Sequence, residues 1–514
     1  MAVFFNNNRH VIPNWRSFER TVRTGELNVN RVVQSAKLFT EEDLADYYFD
    51  WKLNRNIAHA GDYISAAISN GYINNEETIE VANFVLTKAE ESTSILLDTA
   101  NLIISSNEQK KDGIIKSDHL FQDTHELIKI YSELHKYREL LRNYPSNAIY
   151  YVEMARLYIS LSMYEKAMKH MEYALYLAPT NRYVIRSAVR LYIHQGKNEK
   201  AFSLLRKVSK MNDPWLLAPE ISLTMILGKP QNSANKSLHI IESDNYSPFS
   251  ITELSSSLAT LEFEAGNNKK SRKLFGRSLV SPNDNSLAQV QWANNQKLNV
   301  SFDNQILLSN FSFYEANAWY EYQNKNYKSA LKYADEWSTD LPYAKSPIYF
   351  AFHVSNTHLK DFELSERILR KGLSANRMDS GLLNNLAYVY ALQNKTEDAL
   401  QVISKVNMNE QMENNTKICL EATRGLIYFR SGFADLGRQC YLRAIEDTMR
   451  LSDEPELNWL AILNYAREEL RIHSEYSDKV MDLVERIPDT GNEEIIELRK
   501  EVIDLNIKRK QVHS

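Results

Sequence analysis

The sequence predicts an all-α fold, an α-solenoid of antiparallel helix pairs. A pattern of small and aromatic residues returns after 34 residues, since Tyr158 and Ala167 are followed at that distance by Tyr192 and Ala201. A period of this length is typical of a two-helix repeat. Within each unit the apolar residues lie three or four positions apart, which places them on one helix face. The 514 residues include 14 Gly and 12 Pro, too few for many interdomain linkers, so we expect one continuous array.

Successive repeats can be followed along much of the chain. The clearest runs from Ala148 to Asn181 and the next from Arg182 to Trp215. Ala155 and Ala167 stand where the two helices of a unit approach most closely, and Gly196 stands between two helices, where a positive φ can end the first. Further units, less regular, are predicted from Thr252, Phe311, Ser346 and Ser380 and at Gly425 to Ala444, where Gly437 takes a second close-packed position.

The pattern divides the chain into three regions. Residues 1–140 are predicted to form irregular helical pairs, and residues 141–446 form the solenoid, with a degenerate middle at 216–310. Residues 447–514 are predicted to be an acidic helical cap, with helices at Leu457–Ile472, Ser477–Arg486 and Asn492–Lys508.

These residues and their order are similar to the tetratricopeptide-repeat pattern, which places large, small and aromatic residues on the first helix and Ala, an aromatic residue, Ala and Pro on the second. The chain resembles this family from Ile114 to Ala444. Trp never occupies the Trp position of the pattern, and the final Pro is present in only some units. The resemblance implies a right-handed superhelix with a concave groove, in a non-enzymatic protein that binds another protein or a peptide.

Composition favours a soluble chain in a reducing compartment. Hydrophobic residues make up 43% and charged residues 25% of the sequence, as is usual for soluble proteins. No window approaches 18 uninterrupted apolar residues, so we expect no signal peptide and no membrane insertion. The two cysteines, Cys419 and Cys440, are too few for a disulfide framework and predict free thiols packed on helices in a cytoplasmic protein.

Charge is unevenly distributed along the chain. The net charge of −5 argues against a dedicated nucleic-acid-binding protein. Residues 129–210 hold 15 Lys or Arg against 6 Glu, whereas residues 446–505 hold 7 Lys or Arg against 17 Asp or Glu. This asymmetry permits self-association between the basic middle of one copy and the acidic C-terminal end of another.

Catalytic and cofactor motifs are missing from the sequence, which has no P-loop, dinucleotide glycine fingerprint, HExxH or CxxC. His353 and His358 are five positions apart, which on an α-helix turns the two rings away from a common face. We therefore predict no catalytic residue, no metal site and no cofactor. The adjacent pairs Glu468–Glu469 and Glu493–Glu494 diverge on a helix and are interpreted as parts of solvated faces.

A basic groove is the first candidate binding site. If the first helix of each unit lines the groove, as the resemblance implies, the inward positions include Arg156 and, one unit later, Tyr183, Arg186, Arg190 and His194. Guanidinium groups on rigid helices pair with carboxylates and phosphates, so we expect an acidic or phosphorylated peptide. In the alternative interpretation, these arginines are exposed to solvent or paired with neighbouring Glu residues.

An aromatic groove is the second candidate. The same mapping turns five residues of the later units inward: Trp319, Tyr322, Phe350, Asn384 and Tyr388. Exposed aromatic residues in a concave surface would anchor a peptide or helix. The alternative is that they pack between repeats.

The expected function is a non-enzymatic scaffold, adaptor or regulatory subunit that binds a protein or peptide through the concave groove. One alternative is a peptide-responsive sensor in which residues 1–140 form a helical effector region. Another is an RNA-binding helical-repeat protein, which would need basic residues interleaved with stacking aromatics along the groove.

Overall fold

The computed structural model describes residues 8–27, 41–69, 75–108, 120–121, 124–243, 245–308, 313–407, 412–451 and 455–512. Within these ranges the protein is all-α, with 27 α-helices and no β-strand. The helices before the main array are α1 Phe18–Arg23, α2 Glu41–Leu53, α3 Ile57–Ser69, α4 Glu76–Thr87, α5 Ser94–Glu108 and α6 Thr124–Asn143. The array consists of α7 Ala148–Ser160, α8 Tyr164–Leu177, α9 Arg182–His194, α10 Asn198–Val208, α11 Pro214–Ile226, α12 Ala234–Glu242, α13 Thr252–Glu264, α14 Asn268–Ser278, α15 Asp284–Asn295, α16 Gln305–Leu308, α17 Tyr314–Gln323, α18 Tyr327–Asp340, α19 Ser346–His353, α20 Phe362–Ala375, α21 Ser380–Leu392, α22 Thr396–Ile403, α23 Asn414–Arg430 and α24 Ala434–Met449. The chain continues with α25 Pro455–Arg471, α26 Ser477–Glu485 and α27 Glu493–Val512.

Consecutive helices pack as pairs, and the pairs stack into an all-α solenoid. The pairs α7/α8, α13/α14, α17/α18 and α23/α24 have the largest mutual contacts. Pairing continues through the region that the sequence marks as degenerate. There α11, α13, α15 and α17 begin at residues 214, 252, 284 and 314, so the spacing departs from 34 residues while the helical-pair architecture persists.

The small residues and Gly196 lie where the sequence predicts them, and side-chain caps begin several helices. Ala155 and Ala167 are fully buried between α7 and α8. A Cβ on Gly437 would lie 2.5 Å from the Phe429 ring and 2.8 Å from the Gly425 carbonyl oxygen, so these helices need glycine at their closest approach. Gly196 follows α9 with φ of +70°, as predicted. In the described ranges, six helices begin after an Asn or Asp whose side chain accepts a backbone N–H: Asn147, Asn181, Asp213, Asn283, Asp361 and Asp379.

The solenoid curves tightly enough to meet itself. The turn after α7 contacts the end of α20: Tyr164 Oη donates to the Ala375 carbonyl (3.3 Å), and Ser162 Oγ donates to the Ser374 carbonyl (3.3 Å). One apolar core includes Val152 of α7 as well as Tyr343 from the turn after α18. Helices α7 to α20 therefore form a nearly closed ring around a central space, which we call the channel.

Two further parts lie outside the ring. Helices α2 to α5 have an apolar core of their own, with Trp51, Tyr63 and Val81 at its centre. At the other end, α25, α26 and α27 occupy nearly the ranges predicted for three C-terminal helices. Cys419 and Cys440 are buried free thiols, as predicted.

The interpretation of Glu468–Glu469 as a solvated pair is wrong. Both side chains are almost fully buried on α25. They do diverge, but each meets an arginine: Glu468 pairs with Arg430 (2.6 Å) and Glu469 pairs with Arg438 (2.6 Å). Glu494 is half-buried, and this burial raises its pKa to about 8. Adjacent carboxylates on a helix can thus serve two different packing contacts.

The sequence also predicts no membrane insertion. Across the described ranges, none of the helices combines the length and apolarity needed to cross a bilayer.

Candidate binding channel

The channel is occupied by the N-terminal segment of the same chain, residues 8–27. Its residues 8–17 are not helical, and the six-residue helix α1 follows. Val11 and Trp15 have almost no exposed surface. The Trp15 ring lies 5.6 Å from that of Tyr343, between centroids, and the Phe18 ring lies 5.2 Å from that of Tyr183. The segment is thus a buried part of the structure.

Buried backbone without secondary structure needs hydrogen-bond partners from elsewhere. Side chains of the channel wall provide them, from α7, α9, α11, α15 and the turn after α18. Pairs between a main-chain group of the segment and a side chain of the wall include Arg9 O with Gln289 Nε2 (2.6 Å), Val11 O with Ser222 Oγ (3.0 Å), Ile12 O with Asn285 Nδ2 (2.9 Å), Trp15 N with Tyr343 Oη (3.1 Å), Arg16 O with Tyr183 Oη (3.0 Å), Phe18 N with Glu153 Oε1 (3.0 Å) and Leu27 O with Arg182 Nη1. The wall is therefore built to hold polypeptide backbone.

Arg16 is the most deeply buried charge of the segment, with 2% of its side chain exposed. Its Nε donates to Asp340, its Nη2 lies 3.2 Å from Asp284 Oδ2, and its Nη1 lies 3.5 Å from Glu26 Oε1. Burial alone would lower the pKa of Arg16, but these three carboxylates raise it. Burial also raises the pKa of Asp284 to about 7, although Arg16 opposes that shift.

Arg9 occupies a second acidic position nearby. Its Nε and Nη2 donate to the two oxygens of Glu315 (2.9 and 2.8 Å). Nη1 donates to Gln289 Oε1 (2.6 Å), and Nη2 also donates to Asn285 Oδ1 (3.0 Å). Two arginines of the segment are thus each bound by several acceptors of the wall.

Three residues of the predicted basic groove lie in the channel wall and have partners in the chain. Arg156 pairs with Glu153 (3.0 Å), and Arg186 pairs with Glu253 (2.9 Å). Tyr183 Oη lies within hydrogen-bond distance of both the Arg16 carbonyl and Glu153 Oε1, and these two acceptors share its one proton. The alternative interpretation, pairing with neighbouring Glu residues, describes both arginines. Their binding to an acidic partner stays a prediction.

The other two predicted basic-groove residues lie together at the ring closure. Arg190 stacks over the Tyr343 ring at 5.6 Å, and the His194 ring meets the same tyrosine at 5.5 Å. Burial and the neighbouring Arg190 lower the pKa of His194 to about 3. His194 is therefore neutral at physiological pH. Both residues help to pack α9 against the turn after α18.

The aromatic candidates divide into two places. Trp319, Tyr322 and Phe350 come together, with ring centroids 4.7 Å apart for Trp319 and Phe350 and 5.8 Å apart for Tyr322 and Phe350. Asn384 and Tyr388 are buried on α21. Tyr388 lines a cavity of about 100 Å³ that Glu494 of α27 also lines. Whether any of the five binds a partner stays a prediction.

The prediction that His353 and His358 turn apart is wrong. Val354–His358 is a π-helix, and its wider turn brings residues five positions apart onto one face. The two ring centroids are 5.3 Å apart, and both Nε2 atoms lie 3.1 Å from Tyr322 Oη. We call Trp319, Tyr322, Phe350, His353 and His358 the aromatic–histidine cluster. Burial lowers the pKa of His353 to about 4.

Metal binding at this cluster has no further support. Among the described residues, no group of three or more His, Cys, Asp or Glu side chains is arranged to hold a metal ion. Glu493 of α27 lies 3.8 Å from His358 Nε2. The expectation of no metal site stays a prediction.

Sequence reasoning missed the acidic and amide residues that hold the segment, above all Asp284, Asn285, Gln289, Glu315 and Asp340. One signal was present. Glu253, Asp284 and Glu315 follow one another at intervals of 31 residues, and a search with a 34-residue period passes over them. The other half of the site, residues 8–27, carries no helical periodicity and gave no signal of repeat structure.

Comparisons with known proteins add little beyond this geometry. No protein-family profile matches the sequence, and no curated protein matches it. Among solved structures, the chain is similar to the crystal structure of yeast Tom70, with a TM-score of 0.30 and 15% identity over 74% of this chain and 93% of that chain. The helical-repeat fold therefore rests on the helix pairs themselves.

Proposed function

We propose that this protein is a non-enzymatic interaction scaffold whose channel binds an extended segment of a partner protein. One observation carries the proposal: side chains from successive repeats hold residues 8–27 through main-chain hydrogen bonds, as described above. This is how a groove recognises a peptide, and here the recognised peptide belongs to the same chain. A partner segment would bind where residues 8–27 now lie.

Membership of the tetratricopeptide-repeat family belongs to the same proposal. It is supported by the stacked helix pairs and by the small residues at their closest contacts, Ala155, Ala167, Gly425 and Gly437. The division into an N-terminal region (1–140), a solenoid (141–446) and a C-terminal cap (447–514), and a cytoplasmic location, are retained as part of the proposal.

The peptide-responsive regulator is a second candidate, and one observation favours it. The segment that fills the channel directly precedes, in the chain, the separate helical unit α2 to α5. A partner that displaced residues 8–27 would release the chain that leads into that unit. Binding in the channel and a change at the N-terminal region would then be coupled.

Self-association and RNA binding have weaker support. Arg156, Arg182 and Arg186 of the basic stretch pair with carboxylates inside the chain, as do Glu468 and Glu469 of the acidic end. Charges that are already paired and buried contribute little to a new interface. The scaffold proposal needs none of them.

The proposal is tested with the full chain and a fluorescein-labelled peptide of residues 8–27. In one variant, Trp15→Ala and Arg16→Ala together weaken the chain's own segment. We expect this variant to bind the labelled peptide, measured by fluorescence anisotropy. The wild-type chain should bind at least about 10-fold more weakly, because its own tethered segment competes at high effective concentration.

A milder variant and two controls complete the test. Arg9→Gln weakens the segment at a partly exposed residue, so a folded chain remains available if the double variant misfolds. Gln289→Ala in the channel wall, added to the double variant, should reduce peptide binding, whereas Asn295→Ala on the exposed face of α15 should not. If circular dichroism shows folded chains and neither weakened variant binds the peptide, the channel is not a peptide site.

A further inference from the structure

The channel binds arginine side chains through contacts that a lysine could not reproduce, and this preference defines the chemistry of its partner. Two arginines, Arg9 and Arg16, lie on either side of the buried residues Val11, Pro13 and Trp15. Each uses several guanidinium nitrogens at once. Arg16 directs Nε, Nη1 and Nη2 to three different carboxylates. A lysine ammonium is a single point and cannot place separated donors on Asp284 and Asp340 of the ring and on Glu26 of the segment at the same time.

Two of the three carboxylates that meet Arg16, Asp284 and Asp340, belong to the ring, whereas Glu26 lies in the segment itself. Asp284 opens α15, where it also accepts the backbone N–H groups of Glu315 (3.3 Å) and Ala316 (2.9 Å) from α17. Glu315 receives Arg9 with both oxygens, in the two-point geometry that favours guanidinium. These carboxylates are held by helix ends on neighbouring repeats, so their geometry belongs to the ring.

The remaining contacts fit a non-helical chain between the two arginines, with one tight turn where Ile12 N–H donates to the His10 carbonyl (2.9 Å). Pro13 is buried there and, having no backbone N–H, it needs no acceptor. Trp15 fills the space beside Tyr343 (5.6 Å) and donates its backbone N–H to that tyrosine. A ligand therefore needs an arginine at each end and an apolar stretch between them.

Charge complementarity points the same way. Arg156 and Arg186 in the wall are neutralised by Glu153 and Glu253, whereas Asp284, Glu315 and Asp340 meet positive charge that the segment brings. An acidic or phosphorylated ligand would leave these three carboxylates buried without a counter-charge, at high cost.

We infer that the channel selects an extended basic segment of a partner protein, with two arginines seven positions apart and an aromatic residue directly before the second. This inference rests on the proposed function, since it names the ligand of the same site. Residues 8–27 supply that pattern within the chain and compete with the partner for the channel.

The test compares labelled peptides on one receptor, the full-length Trp15→Ala, Arg16→Ala chain. The peptides are residues 8–27 unchanged and with Arg16→Lys, Arg9→Lys or Arg20→Lys. Arg16→Lys should weaken binding by about 10-fold or more and Arg9→Lys by several-fold. Arg20→Lys is the graded comparison: Arg20 also meets Asp340 (3.0 Å), but 32% of its side chain is exposed, so its loss of affinity should be smaller than that of Arg16→Lys.

A second receptor links the effect to a named contact. When Glu315→Gln is added to the receptor, the difference in affinity between the unchanged and Arg9→Lys peptides should shrink, because the two-point acceptor is gone.

The outcomes distinguish arginine selection from peptide binding itself. If the unchanged peptide binds and the lysine peptides bind equally well, arginine selection is overturned while peptide binding stands. If a phosphoserine peptide of the same length binds more tightly, the basic ligand class is overturned. If no peptide binds to a folded receptor, the proposed function itself fails.

Discussion

The channel and the aromatic–histidine cluster lie on the same ring and are closed by opposite ends of the chain. The channel holds an extended segment, and its wall carries carboxylates, amides and hydroxyls that pair with backbone and guanidinium groups. The cluster is mostly rings, and α27 meets it through Glu493, which lies 3.8 Å from His358. A helix satisfies its own backbone hydrogen bonds, whereas an extended segment does not. The channel wall therefore needs polar side chains to satisfy the backbone of its segment, whereas the cluster meets a helix and can consist of aromatic rings.

The largest expected effect comes from removing the arginine that the channel buries. Arg16→Met leaves Asp340, Asp284 and Glu26 without their shared counter-charge, so the free energy of unfolding should fall by roughly 3–5 kcal/mol. Arg20→Met removes a partly exposed partner of the same Asp340 and should cost about 1 kcal/mol or less. Urea unfolding followed by tryptophan fluorescence measures both. Equal losses would mean that the buried network is not special to the channel.

The channel should also lose stability as pH rises. Asp284 has an ordinary pKa of 3.8, and burial raises it to about 7 in the folded chain, against the opposing charge of Arg16. A raised pKa contributes stability that is present below 3.8 and is lost as pH rises through 7. The difference in free energy of unfolding between the wild type and Asp284→Asn should therefore decrease from pH 5 to pH 7.5. A flat profile over this range would show that Arg16 keeps Asp284 ionised.

The aromatic–histidine cluster should show the opposite slope. Burial and His358 lower the pKa of His353 from 6.5 to about 4. A lowered histidine pKa contributes stability that is present above 6.5 and is lost as pH falls through 4. The difference between the wild type and His353→Gln should increase from pH 4.5 to pH 6.5, by less than the Asp284 effect because the pKa shift is smaller. A flat profile would mean that His353 is open to water.

Sequence could predict the helix pairs but only part of the site, for physical reasons. Repeat packing is local, so the positions of Ala155, Ala167 and Gly196 can be predicted from the spacing within one unit. Arg186 looks like a free cation in sequence, because its partner Glu253 lies 67 residues away and meets it only when α9, α11 and α13 stack. His353 and His358 were misjudged because a single π-helical turn changes which residues share a face.

The role of the N-terminal segment could not be predicted from sequence for a related reason. An extended stretch has no helical period to detect, and the partners of Arg16 come from residues 26, 284 and 340. Trp15 between arginines was the visible clue, but its meaning depends on a channel that exists only in the folded ring. Non-local ion pairs are the part of a structure that a repeat pattern leaves open.

The smallest effect is expected where α27 meets the cluster, and it tests whether the comparison between the two closures holds. Glu493 lies 3.4 Å from Lys325 and 3.8 Å from His358, but 44% of its side chain is exposed. Water screens such a pair, so Glu493→Gln should lower the free energy of unfolding by less than about 1 kcal/mol, and less still in 0.5 M salt. The pKa of His358, which burial lowers and Glu493 partly restores, should fall further in this variant, as measured by NMR titration. If Glu493→Gln instead lowered the free energy of unfolding as much as Arg16→Met, ion pairing and not packing would hold α27 against the cluster. Both ends of the chain would then be held by ion pairs.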